Sequence, residues 1–170
     1  MKGMVLLSHG LESGPTATKV SALARVATAH GWDAECLDYR DLDATRDIDR
    51  LHDRVARLRE RARRATGLVL AGSSMGAFIS GLVSLEVPPR ALFLMAPPLA
   101  IPGFATRFDA ARVPTTIVHG WHDELIPADE VYAFAKARSA ELHLVDDEHR
   151  LAAHVEYCAA RFGDLLARIA

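Results

Sequence analysis

Gly72-Ser73-Ser74-Met75-Gly76 is a G-x-S-x-G pattern, and within it Ser74 has the surroundings a nucleophile needs. The run Gly67-Leu68-Val69-Leu70-Ala71 before it reads as a strand, and the apolar stretch after it, with Phe78, Ile79, Leu82 and Val83, reads as a helix. A hydroxyl held out above a sheet on so tight a turn requires that no β-carbon sit two positions to either side, and the glycines meet that requirement. Ser73 lacks flanking glycines in that step and is the weaker candidate. A serine hydroxyl is barely nucleophilic near neutral pH, so the pattern calls for a histidine base and usually a carboxylate to orient it. Both stand downstream. His119-Gly120-Trp121-His122-Asp123-Glu124-Leu125-Ile126-Pro127 places Asp123 on a loop after one strand, and Asp146-Asp147-Glu148-His149-Arg150-Leu151 places His149 after another. Glu124 is the nearest substitute for Asp123, whose plainer role would be to cap a helix. Asp146 or Asp147 could orient His149 instead.

The chain has eight histidines, so position must separate them. His30 and His52 fall in helical patterns, His143 in the last strand and His154 a turn inside the last helix. His119 ends a strand and His122 shares the loop of Asp123. With Asp123 these two could hold a metal only if a further ligand joined them, and the sequence offers no convincing one, so neither metal nor other cofactor is expected. Attack on a carbonyl would also need donors for the oxyanion. The candidates are the N–H of Met75, at a helix N-terminus, and that of Leu11, in the loop His9-Gly10-Leu11 after the first strand. His9 itself reads as a brace for that loop. Trp121, Pro97, Leu99 and Phe104 are candidate substrate contacts, with Leu11, Met75, Ile101 and Leu125 as further wall residues. Glu12, beside the oxyanion loop, would repel anionic substrates if it faced them.

Those loops must be carried by a scaffold, and the hydrophobic pattern describes one. Strands are expected at Met4–Ser8, Ala34–Leu37, Leu68–Ala71, Ala91–Met95, Thr115–His119 and Leu142–Val145, with helices at about 16–30, 47–65, 75–85, 128–137 and 151–169 between and after them. Strands that are apolar on both faces and joined by helices imply a parallel sheet covered on both sides. The expected fold class is α/β: a single-domain three-layer α/β/α sandwich over residues 1–170 with a six-stranded, mainly parallel sheet. Ligands in such folds sit beyond the carboxyl ends of the strands, where all the candidates above lie. Two nucleotide fingerprints fail. His9-Gly10-Leu11-Glu12-Ser13-Gly14 lacks the middle glycine of a dinucleotide loop, and no segment has P-loop spacing.

Composition agrees with one compact domain of 170 residues, 50% apolar and 25% charged. A net charge of −2 provides no field toward nucleic acid or anionic lipid, so neither is expected as a partner. The run Arg54, Arg57, Arg59, Arg61, Arg63 and Arg64 shares a helix with Leu51, Val55, Leu58, Ala62 and Ala65, and reads as the wet side of an amphipathic helix. Cys36 and Cys158 read as small buried hydrophobes in a reducing compartment. The apolar run Met4 to Leu7 is too short for a signal peptide or membrane span, so the expected location is the cytoplasm. Oligomeric state is not legible.

Four pieces of the chain together resemble the α/β-hydrolase superfamily: Leu7-Ser8-His9-Gly10 its oxyanion strand and loop, Gly72 to Gly76 its nucleophile elbow, His119 to Pro127 its acid loop, and His149 its base. The order Ser, Asp, His is that of such hydrolases. The resemblance implies a serine hydrolase acting on a small-molecule acyl substrate through an acyl-enzyme, with Ser74 as nucleophile, Asp123 as orienter and His149 as base and then acid. Esters are expected first, thioesters next and small amides third, with a noncatalytic binding protein of the same family as the alternative. The strands that usually precede the first one are missing, and only the 18 residues from Pro97 to Pro114 separate the fourth strand from the fifth, where larger relatives carry a lid. A minimal, lidless enzyme for short acyl groups is the expectation.

Overall fold

A computed structural model describes all 170 residues. In chain order they form β1 (Met4–Ser8), α1 (Thr18–Ala29), β2 (Asp33–Leu37), α2 (Arg40–Asp43), α3 (Leu51–Arg63), β3 (Val69–Ser73), α4 (Met75–Glu86), β4 (Ala91–Met95), β5 (Thr115–Gly120), α5 (Ala128–Arg138), β6 (Glu141–Val145) and α6 (Val155–Arg168). The strands pair in the order β2-β1-β3-β4-β5-β6, and every pair is parallel. Successive strands step outward from β1 to β2 and then return past β1 to β3, so the order reverses between β1 and β3. At such a point the loops from the two strands diverge and leave a crevice.

Alternation along each strand feeds two separate cores. Leu6, Leu70, Leu92 and Leu94 point to the side of α3, α4 and α5, where Leu58, Phe78, Ile79 and Val131 meet them. Val5, Leu7, Phe93 and Met95 point to the side of α1 and α6, against Leu23, Phe162 and Leu165. The central strands β3 and β4 are buried throughout, while the edge strands β2 and β6 are largely half-buried. The sandwich of three layers is thus the expected one.

Local chemistry explains the departures from expectation. The helix expected from 47 begins as a 3₁₀ turn over Ile48–Arg50, capped by Asp47, whose carboxylate accepts the Asp49 N–H at 3.0 Å. The helix expected from 151 starts at Val155 because Leu151 takes a left-handed backbone (φ 52°) and a 3₁₀ turn intervenes. The four-residue α2 is too short to show a period and was not foreseen.

One reading requires correction. Arg54 is not on a wet face; it is 1% exposed. Leu51, Arg54 and Leu58 stand three and four apart, so they share one stripe of α3, and that stripe faces inward. The other arginines of the helix are half-buried or exposed, and Arg57, Arg59 and Arg61 reach Asp41, Glu86 and Glu35. No helix is long and apolar enough to cross a membrane.

Candidate active site

Strand β3 ends at Ser73, and the chain reverses at Ser74 into α4 with φ 52° and ψ −115°. That region costs a non-glycine residue on the order of 1–3 kcal/mol, so the surroundings must hold it. They do so through the Ser74 N–H, which donates to Met95 O at 2.8 Å, and through close packing. A β-carbon at Gly72 would collide with the Gly76 carbonyl, and one at Gly76 with Ser8 O of β1. The two glycines therefore let the turn fold back on itself and press against the neighbouring strand.

The turn presents the Ser74 hydroxyl to His149, which lies in the loop between β6 and α6. Oγ and Nε2 are 2.8 Å apart, and His149 Nδ1 is 2.7 Å from Asp123 Oδ2. An ionised carboxylate can only accept, so Nδ1 carries the ring proton and Nε2 is left free to accept from the serine hydroxyl. Asp123 sits in the loop after β5 with its side chain fully buried. Its Oδ1 accepts the N–H groups of Leu125 (2.9 Å) and Ile126 (2.8 Å). Burial pushes the Asp123 pKa up, but the hydrogen bonds from His149 and from the Ile126 and Leu125 amides overcome that and leave it below the usual carboxylate value. Behind Asp123 lies His119, fully buried, whose Nε2 donates to Ile126 O at 2.9 Å and stands 3.5 Å from Asp123 Oδ2. Burial holds its pKa below the ordinary imidazole value.

The alternative partners are engaged elsewhere. Asp146 meets His122 at 2.9 Å, and Asp147 meets His154 at 2.9 Å while capping the Glu148 and Ala153 amides. Neither touches His149. Glu124 has its carboxylate 3.5 Å from the His149 backbone N–H, not from its ring. His143 is taken by Tyr157 and Glu141.

Ser74 and His149 open onto a cleft of about 1140 Å³, where Gly10, Leu11, Met75 and Leu125 also lie. A β-carbon at Gly10 would sit 3.5 Å from that of Ser74, so the loop after β1 abuts the serine. The Leu11 N–H has no acceptor within the protein. Glu12 lines the same cleft.

The opposite wall comes from α2 and the chain leading into α3, through Leu42, Ala44, Arg46, Ile48 and Leu51. The sequence reading looked for it elsewhere, and the structure does not bring Trp121, Pro97, Leu99 or Phe104 to this cleft. Phe104 packs against Phe78 and the His52 ring, at 6.1 and 4.6 Å between centroids. Pro97 is buried, and Leu99 packs on the core to which α4 contributes. The connection from β4 to β5 thus folds down onto the core because its aromatic residues find apolar partners there. Trp121 is 53% exposed, outside the cleft.

Sequence reasoning also missed a buried support beneath the loop after β1. Arg54 donates to the carbonyls of His9 (2.9 Å) and Gly10 (3.3 Å) and forms an ion pair with Asp43. Its guanidinium carbon lies 4.5 Å from the ring centre of Tyr39, whose hydroxyl meets Ser8 Oγ at 2.9 Å. The signal for Arg54 was its step from Leu51 and Leu58; Asp43 and Tyr39 left no comparable mark.

No family model matches the sequence, and no curated protein does. Solved structures do. A Xanthomonas campestris pv. campestris protein described as a candidate hydrolase of the α/β superfamily is 55% identical, with 98% of each chain covered and a TM-score of 0.95. Est1E from Butyrivibrio proteoclasticus aligns over 98% of this chain and 87% of its own, at 18% identity and a TM-score of 0.76. A Xanthomonas campestris protein described as an α/β serine hydrolase without a lid covers 97% of this chain and 81% of its own, at 18% identity and a TM-score of 0.72. The two more distant structures share the fold.

Proposed function

The chain belongs to the α/β-hydrolase superfamily, and we propose that it is a serine hydrolase that cleaves short-chain carboxylic esters or thioesters through an acyl-enzyme. One observation carries this reading: the unbroken hydrogen-bond chain from Asp123 through His149 to Ser74, opening onto a cleft beside an N–H that no protein group uses.

In this reading the proton of Ser74 Oγ passes to His149 Nε2 as the oxygen forms a bond to the substrate carbonyl carbon. The carbonyl electron pair moves onto oxygen, and the Leu11 and Met75 N–H groups stabilise the resulting anion. Asp123 keeps the imidazole in the required tautomer and stabilises its positive charge without itself taking the proton. The intermediate collapses as the carbon–oxygen or carbon–sulfur bond to the leaving group breaks, and Nε2 returns its proton to that group. Water then repeats the sequence and frees the acid. A cleft of about 1140 Å³ is far larger than a short acyl chain, which favours a small acyl group carried on a bulkier alcohol or thiol.

A fluorophosphonate probe and short p-nitrophenyl esters test the reading. The parent protein should be labelled and should turn over the esters; Ser74→Ala should abolish labelling and lower kcat by about three orders of magnitude or more, with His149→Ala similar and Asp123→Asn similar or milder. Ser73→Ala should retain labelling. Labelling that persists in Ser74→Ala would overturn the assignment.

A further inference from the structure

The buried cation under the site has no place in the proton path just described. Arg54, 1% exposed, donates through Nη1 to His9 O at 2.9 Å and through Nη2 to Gly10 O at 3.3 Å, while Asp43 Oδ1 accepts from its Nε at 2.8 Å. Gly10 O has a second partner, His9 Nδ1, at 2.7 Å. The direction of that bond follows from the other side of the ring. The Tyr39 N–H meets Nε2 at 3.0 Å, and an amide can only donate, so Nε2 is bare and the neutral ring's proton is on Nδ1. The Gly10 carbonyl therefore receives donors from both Arg54 and His9.

No peptide bond in the chain is cis, and across a trans peptide the C=O and N–H lie in one plane and point opposite ways. Fixing Gly10 O toward α3 aims the Leu11 N–H away from α3; Gly10 abuts Ser74, and no protein acceptor takes that N–H. A cation donating to the carbonyl also draws electron density from the amide and strengthens its N–H as a donor. We infer that Arg54, together with His9, is a positioning residue that aims and polarises the Leu11 N–H toward the oxyanion formed on Ser74 attack. The inference rests on the reading of Ser74 as nucleophile.

Arg54→Met tests it, alone and with Asp43→Asn so that no carboxylate is stranded. The expected result is a fall in kcat of about 10- to 100-fold, less than or equal to the loss of a direct oxyanion donor. KM should stay within about 3-fold, because the interaction strengthens only as charge develops. Affinity for a trifluoromethyl ketone, which binds as a charged hemiketal, should fall by the same factor as kcat/KM. Arg54→Lys, which keeps the charge but cannot serve both carbonyls and Asp43, should fall between. A second pair reads the same device without touching the ion pair. The amide nitrogen of Asn can take the place of Nδ1, whereas Gln reaches only the place of Nε2, so His9→Asn should retain more kcat than His9→Gln. Folded Arg54→Met protein with parental kcat, or with reduced kcat but unchanged ketone affinity, overturns the inference. If the Arg54 variants do not fold, equal kcat in the two His9 variants overturns it. Ester turnover that survives Ser74→Ala removes the premise instead, a result separate from all of these.

Discussion

Two connections leave the sheet on the same side and do opposite work. Residues 38–68, between β2 and β3, supply the wall of the cleft and the cation beneath the loop after β1. Residues 96–114, between β4 and β5, turn away from the cleft and close the core over α4. Their residue types account for the difference. The first is rich in arginine and aspartate, whose side chains are exposed or half-buried except that of Arg54, which finds both Asp43 and two carbonyls. The second carries Phe104 and Phe108, which meet Phe78 at 6.1 and 6.0 Å and, in the case of Phe108, Phe134 at 5.0 Å. The segment that walls the cleft is the polar one, and the apolar residues of the β4–β5 connection serve the core instead.

The sharpest way to break that contrast is to truncate the aromatic connection. Phe104→Ala should cost about 3 kcal/mol of stability, as for other large-to-small changes in a core, while kcat/KM of the folded protein stays at the parental value. Urea unfolding and ester assays under native conditions read the two effects separately. A variant with parental stability and lost activity would mean that Phe104 serves the substrate after all. A smaller effect should come from the polar connection. Ile48 lines the cleft, so Ile48→Ala should favour longer acyl groups, raising the hexanoate-to-acetate ratio of kcat/KM by about 10-fold, the low end of what one methylene is worth in an apolar pocket. Leu99→Ala should leave that ratio unchanged. The reverse outcome would exchange the roles given to the two connections.

How much of this was legible beforehand depends on the range of the interaction. The strand and helix pattern, the turn at Ser74 and the loops bearing Asp123 and His149 could be read because each is set by residues within a few positions: the unbroken apolar run of β4, glycines two either side of Ser74, and strand ends before Asp123 and His149. The cleft's opposite wall could not. Leu42 and Ile48 come to face Ser74 only because α2, too short to show a period, and the capped turn at Asp47 bend the chain back over the sheet edge. Arg54 fell between the two cases. Its spacing from Leu51 and Leu58 placed it on the inward stripe, but nothing local revealed that Asp43, eleven residues earlier, and the carbonyls of His9 and Gly10 would be there to receive it. A buried charge is tolerable only with such partners, and they are distant in sequence.

The weakest expected effect concerns how the two connections are held. Arg57 donates to both oxygens of Asp41, at 2.8 Å each, and Arg40 pairs with Asp38. The Arg57 guanidinium lowers the Asp41 pKa to about 2, and hydrogen bonds from Arg40 hold Asp38 well below the carboxylate range. In the unfolded chain an aspartate titrates near 3.9, so whatever Asp41 contributes is fully present above about pH 4 and is lost as the pH falls through about 2. These groups are exposed, so the contribution is small and screened by salt. The β4–β5 connection has the Arg138–Asp109 pair, but its middle is held by the aromatic contacts of Phe104 and Phe108, which neither acid nor salt weakens. Amide exchange, corrected for intrinsic rates, should therefore show residues 38–46 opening about 2- to 5-fold more readily at pH 2.5 than at pH 5, and more readily in about 1 M salt than in dilute buffer, with residues 101–108 changing less. Equal loosening of both stretches would mean that their different chemistries do not matter to how they are anchored, and would remove the basis of the contrast between them.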